Sequence, residues 1–297
     1  MTTIAERTGG APISWGVCEA PGWGHELPAD LVLREMRELG LRATELGPTG
    51  YLGTDPADVR ARLERRGLRL IGGFLPVPMH VSTAADIAEA TEAIQTLAAA
   101  GAEVVVLAAR SADGSYDHKV PLGDDDWTAL LATLGRLQRI AAEHGLTPTL
   151  HPHVGTAIED RAAVLRLLDS SDVLLCLDTG HLLIGGMDPL ELVGLAANRI
   201  AHVHLKDVRT SVAAVVAAGD TSYIEAVRAG LYTPLGGGDL DIAAIVRALE
   251  TAGYRGWYVL EQDAALHGPP GPGGGPIHDV RRSIDFLSTL ARAEVAR

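Results

Sequence analysis

The strongest constraint on how this chain can fold is an alternation that repeats eight times. Short apolar runs of strand length alternate with helical stretches, and glycine closes many of the helices. The strand segments are Ala11–Gly16, Arg42–Leu46, Leu68–Leu75, Glu103–Leu107, Leu146–His151, Val173–Asp178, Arg199–Leu205 and Gly256–Glu261. Between them lie helical segments such as Asp55–Arg66, opened by a cap and a proline, and Ala84–Ala100, followed by Gly101. Strands alternating with helices make a parallel sheet with right-handed crossovers, and eight such units close into a (β/α)8 barrel. An open doubly wound sheet is the alternative. Its dinucleotide-binding form lacks support, because no Gly-x-Gly-x-x-Gly turn follows the first strand.

The expected architecture is therefore α/β, a single (β/α)8 TIM barrel over residues 1–297 with no internal linker. Val208–Gly238 interrupts the rhythm as an irregular insertion with a short helix near Tyr223–Ala229, a candidate lid or subunit contact that leaves a homo-oligomer open. A Gly/Pro-rich run, Gly268–Pro276, falls between the last strand and the last helix, where a barrel carries a loop over its mouth.

Bulk properties exclude several functions. A net charge of −13 without basic clusters disfavours a nucleic-acid partner, since nothing replaces the counterions of a phosphate backbone. Two cysteines, Cys18 and Cys176, are too few for a disulfide framework and lack zinc-motif spacing. Cys176 reads as a buried small hydrophobe. Met1–Gly10 has no apolar signal region and no run reaches membrane length, so a cytoplasmic protein with no membrane partner is expected.

Chemistry concentrates at strand ends. In such a barrel these face one opening, which the first three strands supply with Trp15, Glu45 and Phe74. Strand five brings His151 and His153, strand six Asp178, strand seven His202 and His204, and strand eight Glu261. A single strand-end acid or histidine is commonly a cap or a hydrogen-bonded structural group. Four consecutive strands ending this way point instead to a metal centre. Mixed carboxylate and imidazole donors suit a borderline divalent ion such as Mn²⁺, Co²⁺, Fe²⁺ or Zn²⁺ more than structural zinc or calcium. One histidine of each pair can serve only to brace a neighbour.

These residues carry a resemblance. Ser14-Trp15-Gly16, Thr44-Glu45-Leu46-Gly47, His151-Pro152-His153-Val154-Gly155-Thr156 with Glu159, Leu177-Asp178-Thr179-Gly180-His181, His202-Val203-His204-Leu205-Lys206-Asp207, Leu235-Gly236-Gly237-Gly238-Asp239 and Glu261 resemble the xylose-isomerase-like barrels. That family covers sugar isomerases, epimerases and inosose dehydratases, and the likeness spans nearly the whole chain. It implies a divalent metal, Mn²⁺ or Co²⁺ first and Mg²⁺, Fe²⁺ or Zn²⁺ next, held by Asp178, His204 and Glu261. The strand-five position departs from the usual Glu, leaving His151, His153 or Glu159 to complete the shell. The His-x-His-x-Gly-Thr run is similar to inosose dehydratases.

The resemblance implies a lyase acting on a cyclic polyhydroxy ketone of the 2-keto-myo-inositol type through a metal-stabilised enolate. His151, His153 or Glu261 would act as base and His181 or Lys206 as acid. Trp15, Trp23 and Phe74 would offer apolar faces to the substrate ring, and Glu45 and His202 further substrate contacts. An isomerase or epimerase of a keto sugar or its phosphate is the alternative. More remote are a non-catalytic scaffold and an endonuclease, the latter disfavoured by the charge.

Overall fold

The computed structural model describes residues 3–118, 120–271 and 274–295. β1 (Thr8–Gly10) is followed by α1 (Ala29–Glu38), and β2 (Ala43–Glu45) by α2 (Pro56–Glu64). β3 (Arg69–Val77) leads to α3 (Ala84–Ala100), β4 (Val104–Ala109) to α4 (Asp124–Glu143), and β5 (Thr147–Leu150) to α5 (Arg161–Ser170). β6 (Leu174–Asp178) runs directly into the short α6 (Thr179–Ile184), and α7 (Pro189–Ala196) precedes β7 (Ile200–Leu205). The insertion is a small unit of β8 (Asp207–Val208), α8 (Thr210–Ala217), α9 (Tyr223–Arg228) and β9 (Tyr232–Thr233). α10 (Ile242–Thr251), β10 (Tyr258–Leu260) and α11 (Ile277–Val295) complete the chain.

Eight parallel strands close in the order β1-β10-β7-β6-β5-β4-β3-β2, which gives the expected barrel. β8 and β9 pair antiparallel outside it. Strand periodicity explains the two packing layers. Along β4 every residue is buried, because Val105, Leu107 and Ala109 face the helices while Val104 and Val106 face inward with Cys176. Cys176 is thus the buried apolar group that its strand position implies.

The helices dock by the same logic with a different period. On α4, Trp127, Leu130, Leu134, Leu137 and Ala141 form one buried stripe at spacings of three and four. Burying each leucine contributes about 1.5–3 kcal/mol, and Leu134→Ala would cost roughly 2–5 kcal/mol because the cavity cannot fully collapse. α3 begins with a reciprocal cap between Thr83 and Asp86 and ends on Gly101, whose φ of 94° favours glycine.

The first unit differs from the sequence expectation. The strand is Thr8–Gly10, and Pro12–Trp15 is a 3₁₀ turn closed by Gly16. Proline at the first helical position favours the turn over an extended run. Trp15 consequently leaves the mouth. It is fully buried in the outer layer, and its Nε1–H donates to Glu35 Oε2 on α1 at 2.7 Å. After Asp178, Thr179 and Gly180 form the first turn of α6, with Asp178 as its cap.

Candidate active site

Asp178 does two jobs with two oxygens. Oδ1 caps α6 by accepting from the backbone N–H groups of Gly180 and His181, at 2.8 and 2.9 Å. Oδ2 is left facing the barrel axis. Around it converge His151 Nε2 and His204 Nδ1, each 3.7 Å away, and Glu261, whose Oε2 contacts His204 Nδ1. The donor atoms of His151, Asp178, His204 and Glu261 all lie within 4.8 Å of one another. Asp178 Oδ2, His204 Nδ1, Glu261 Oε2 and both His151 nitrogens are buried without a hydrogen-bond partner. Unsatisfied polar groups are costly in an interior, and four of them aimed at one point fit a cation held between them. Two carboxylates and two imidazoles form the donor set of a divalent metal.

Lys206 stands beside this group. Its ammonium is buried, 3.1 Å from Asp178 Oδ2, 2.8 Å from Asp263 Oδ1 and 3.7 Å from Glu261 Oε2. Burial opposes its charge, but Asp178, Asp263 and Glu261 outweigh that and hold Lys206 well above the ordinary lysine range. Thr179 ties the ends of β6 and β7 together, accepting from the Lys206 N–H and donating to the Lys206 carbonyl. Gly180 is needed here, since a Cβ would lie 2.6 Å from Lys206 Cγ.

His153 and His181 occupy the cavity side with ring centroids 3.8 Å apart. His153 Nδ1–H donates to the Val154 carbonyl at 2.7 Å, which leaves the lone pair on Nε2. Burial lowers His153 to about 4 and His181 well below its usual value, so both are neutral at pH 7. His151 is lowered likewise by burial, whereas Glu261 is raised, burial outweighing the nearby His204 and Lys206. His204 is raised well above the imidazole range: burial opposes its charge, but Cys176, Glu261 and Glu45 outweigh it. Above these groups opens a cavity of about 950 Å³, lined among others by Glu45, Phe74, His151, His153, Lys206 and Glu261.

The structure thus brings His151, His153, Asp178, His181, His204, Lys206 and Glu261 together, and puts Phe74 on the wall beside His153 with ring centroids 5.6 Å apart. Three expected residues are placed differently. Glu159 is apart from the donor group, with Oε2 accepting from the Gly155 N–H in the loop after β5. His202 is fully buried beneath the cavity, its Nε2–H donating to Glu45 Oε1, and Trp15 is in the outer layer. At strand five, His151 joins Asp178, His204 and Glu261, while His153 groups with His151 and His181.

Sequence reading missed Asp263, Tyr223 and Tyr232. Asp263 bridges Lys206 through Oδ1 and the Tyr223 hydroxyl through Oδ2, and Tyr223 also meets the Tyr232 hydroxyl at 2.9 Å. Extending the alternation of strand eight beyond Glu261 by two residues would have found Asp263. The tyrosines come from the insertion, and nothing in their local sequence places them over the barrel.

Fold and site together define a (β/α)8-barrel enzyme built around a buried divalent-metal donor set. A family model for the xylose isomerase-like TIM barrel matches residues 33–290, and the chain belongs to that family. It is 34% identical over 276 residues to an inosose dehydratase of Geobacillus thermodenitrificans, covering 89% of this chain and 92% of that protein. Among solved structures, an L-ribulose 3-epimerase superposes with a TM-score of 0.70 at 18% identity, covering 98% of this chain and 97% of the other. A probable 3-DHS dehydratase of Bacillus anthracis superposes at 0.66 and 15%, covering 95% and 98%. Likenesses this distant in sequence speak to the fold. Among the described residues no helix is long and apolar enough to cross a membrane.

Proposed function

We propose that this protein, working as one barrel domain in the cytoplasm, is a metal-dependent dehydratase of a cyclic polyhydroxy ketone of the 2-keto-myo-inositol type. The observation that carries this reading is the convergence of four unsatisfied donors beneath a neutral histidine and a charged lysine. It occurs in a chain one-third identical to an inosose dehydratase. His151, Asp178, His204 and Glu261 would hold the metal, Mn²⁺ or Co²⁺ before Mg²⁺, Fe²⁺ or Zn²⁺. A divalent ion bound there would supply positive charge beside the ketone and so acidify the neighbouring C–H.

The remaining chemistry belongs to the chain. His153 Nε2, neutral and carrying its lone pair toward the cavity, takes the proton from the carbon next to the ketone. The electron pair of that C–H bond becomes the new double bond as the C–O bond of the β-hydroxyl breaks. Lys206 Nζ gives its proton to the departing hydroxyl, which leaves as water. His181, stacked on His153 with ring centroids 3.8 Å apart and with Nε2 3.3 Å from Lys206 Nζ, relays the proton that His153 took back to the lysine, which restores all three groups. Phe74 offers an apolar face to the ring, and Glu19, Glu26 and Asp86 along the cavity favour an uncharged polyol over a phosphate or a nucleic acid.

The test is to strip the protein with a chelator, reload it with Mn²⁺ or Co²⁺, and supply 2-keto-myo-inositol. Enone absorbance that requires the metal is expected. Absence of that signal, with solvent deuterium entering keto sugars, would replace the dehydratase with an isomerase or epimerase.

A further inference from the structure

Glu45 is not one of the four converging donors, yet it reaches them through its contact with His204. It extends from β2 across the barrel interior, and Oε1 lies 3.0 Å from His204 Nε2 and 2.7 Å from His202 Nε2. The register between β2 and β3 shifts between Thr44 and Glu45, an irregularity of the kind that re-aims a side chain. His202 sits two residues before His204 on β7 and so on the same strand face, one layer deeper. Its Nδ1 is buried with no partner, so the ring is held by the hydrogen bond from Nε2 to Glu45.

We infer that Glu45 is a positioning residue for the metal centre, fixing the tautomer and ring orientation of His204, with His202 holding Glu45 in place. A neutral imidazole carries one proton. His204 can offer an Nδ1 lone pair toward Asp178 and Glu261 only if that proton is on Nε2, and Glu45 Oε1 is the acceptor that keeps it there. The carboxylate also makes the imidazole a stronger donor and adds negative charge behind a cation. His202 donates to the same oxygen from a ring inclined at 79° to that of His204, and so fixes where the oxygen sits. This replaces the substrate contacts that the resemblance implied for Glu45 and His202.

The inference rests on the reading of His151, Asp178, His204 and Glu261 as metal ligands. Its test is Mn²⁺ titration of the full-length protein, with free ion read by electron paramagnetic resonance. Glu45→Gln should weaken Mn²⁺ binding about 10–100-fold while circular dichroism stays unchanged. His202→Met should weaken binding in the same direction, and His202→Gln, which keeps a donor, should restore it. A folded Glu45→Gln protein that binds Mn²⁺ within twofold of wild type would overturn the inference and leave the ligand reading standing. Wild-type protein that binds no Mn²⁺ would overturn both. A measurement on unaltered protein covers the case of a variant that does not fold. In the Zn²⁺-loaded enzyme, ¹⁵N spectra should show His204 protonated at Nε2 and ligating through Nδ1. The opposite tautomer, or a second zinc bound by Glu45, His202 and His204, would refute it.

Discussion

Replacing Lys206 with methionine keeps the aliphatic stem and removes the ammonium, which isolates one electrostatic question. The wild-type cation is 1% exposed, with carboxylate oxygens at 2.8, 3.1 and 3.7 Å. At an effective dielectric of about 20, each of the two nearer pairs attracts by roughly 5–6 kcal/mol, most of which is offset by the desolvation of the charges. Deleting the cation leaves Asp263 and Asp178 buried against each other's charge, and breaking such a pair costs about 3–5 kcal/mol. Urea unfolding of metal-free Lys206→Met should show a loss of that size. A second consequence has the opposite sign. Lys206 competes with a metal for Asp178 Oδ2 and repels it, so Mn²⁺ should bind the variant more tightly and restore more stability than it adds to wild type. Turnover should nevertheless fall by about 10²–10⁴-fold, the usual contribution of a positioned acid. A destabilisation under about 1 kcal/mol, or Mn²⁺ stabilising both proteins equally, would refute this account of the buried cluster.

Other outcomes follow from individual groups. His153→Gln should lower kcat by about 10²–10⁴-fold with Mn²⁺ affinity preserved, since His153 faces the cavity and not the four donors; an equal loss of metal would contradict that placement. Metal-free protein should lose stability on acidification below pH 6.5. A histidine whose folded pKa is depressed is stabilising above its unfolded pKa, and that contribution is lost as pH falls toward the folded value. For His153, the fall from 6.5 to about 4 corresponds to roughly 3 kcal/mol at about 1.4 kcal/mol per pH unit. His151, His181 and His202 act in the same sense, and His204, whose pKa is raised, in the opposite one. Urea midpoints unchanged between pH 7.5 and 5 would contradict this balance. Trp15→Phe should cost about 1 kcal/mol through the lost bond to Glu35 and leave KM unchanged, whereas a raised KM would return Trp15 to the substrate site.

What the sequence alone determined is the barrel and the identity of its donor strands. Strand and helix periods are local properties of the chain, so the eight alternations, the helix Ala84–Ala100 closed by Gly101 and the apolar run of β4 are visible without coordinates. Asp178, His202, His204 and Glu261 were visible as strand-end groups for the same reason, and the family resemblance singled out Asp178, His204 and Glu261 as ligands. Tertiary structure alone decided what depends on direction and depth. Whether His151, His153 or Glu159 faces Asp178 turns on the path of the chain after β5, which no periodicity specifies. Trp15 moved outward because Pro12 ends the first strand early. Glu45 and His202 became partners because β2 and β7 face each other across a closed barrel, bringing together residues 157 positions apart. Tyr223 reaches Asp263 only once the insertion has folded over the mouth. Local pattern specifies which side chains a strand can present; barrel closure specifies what they meet.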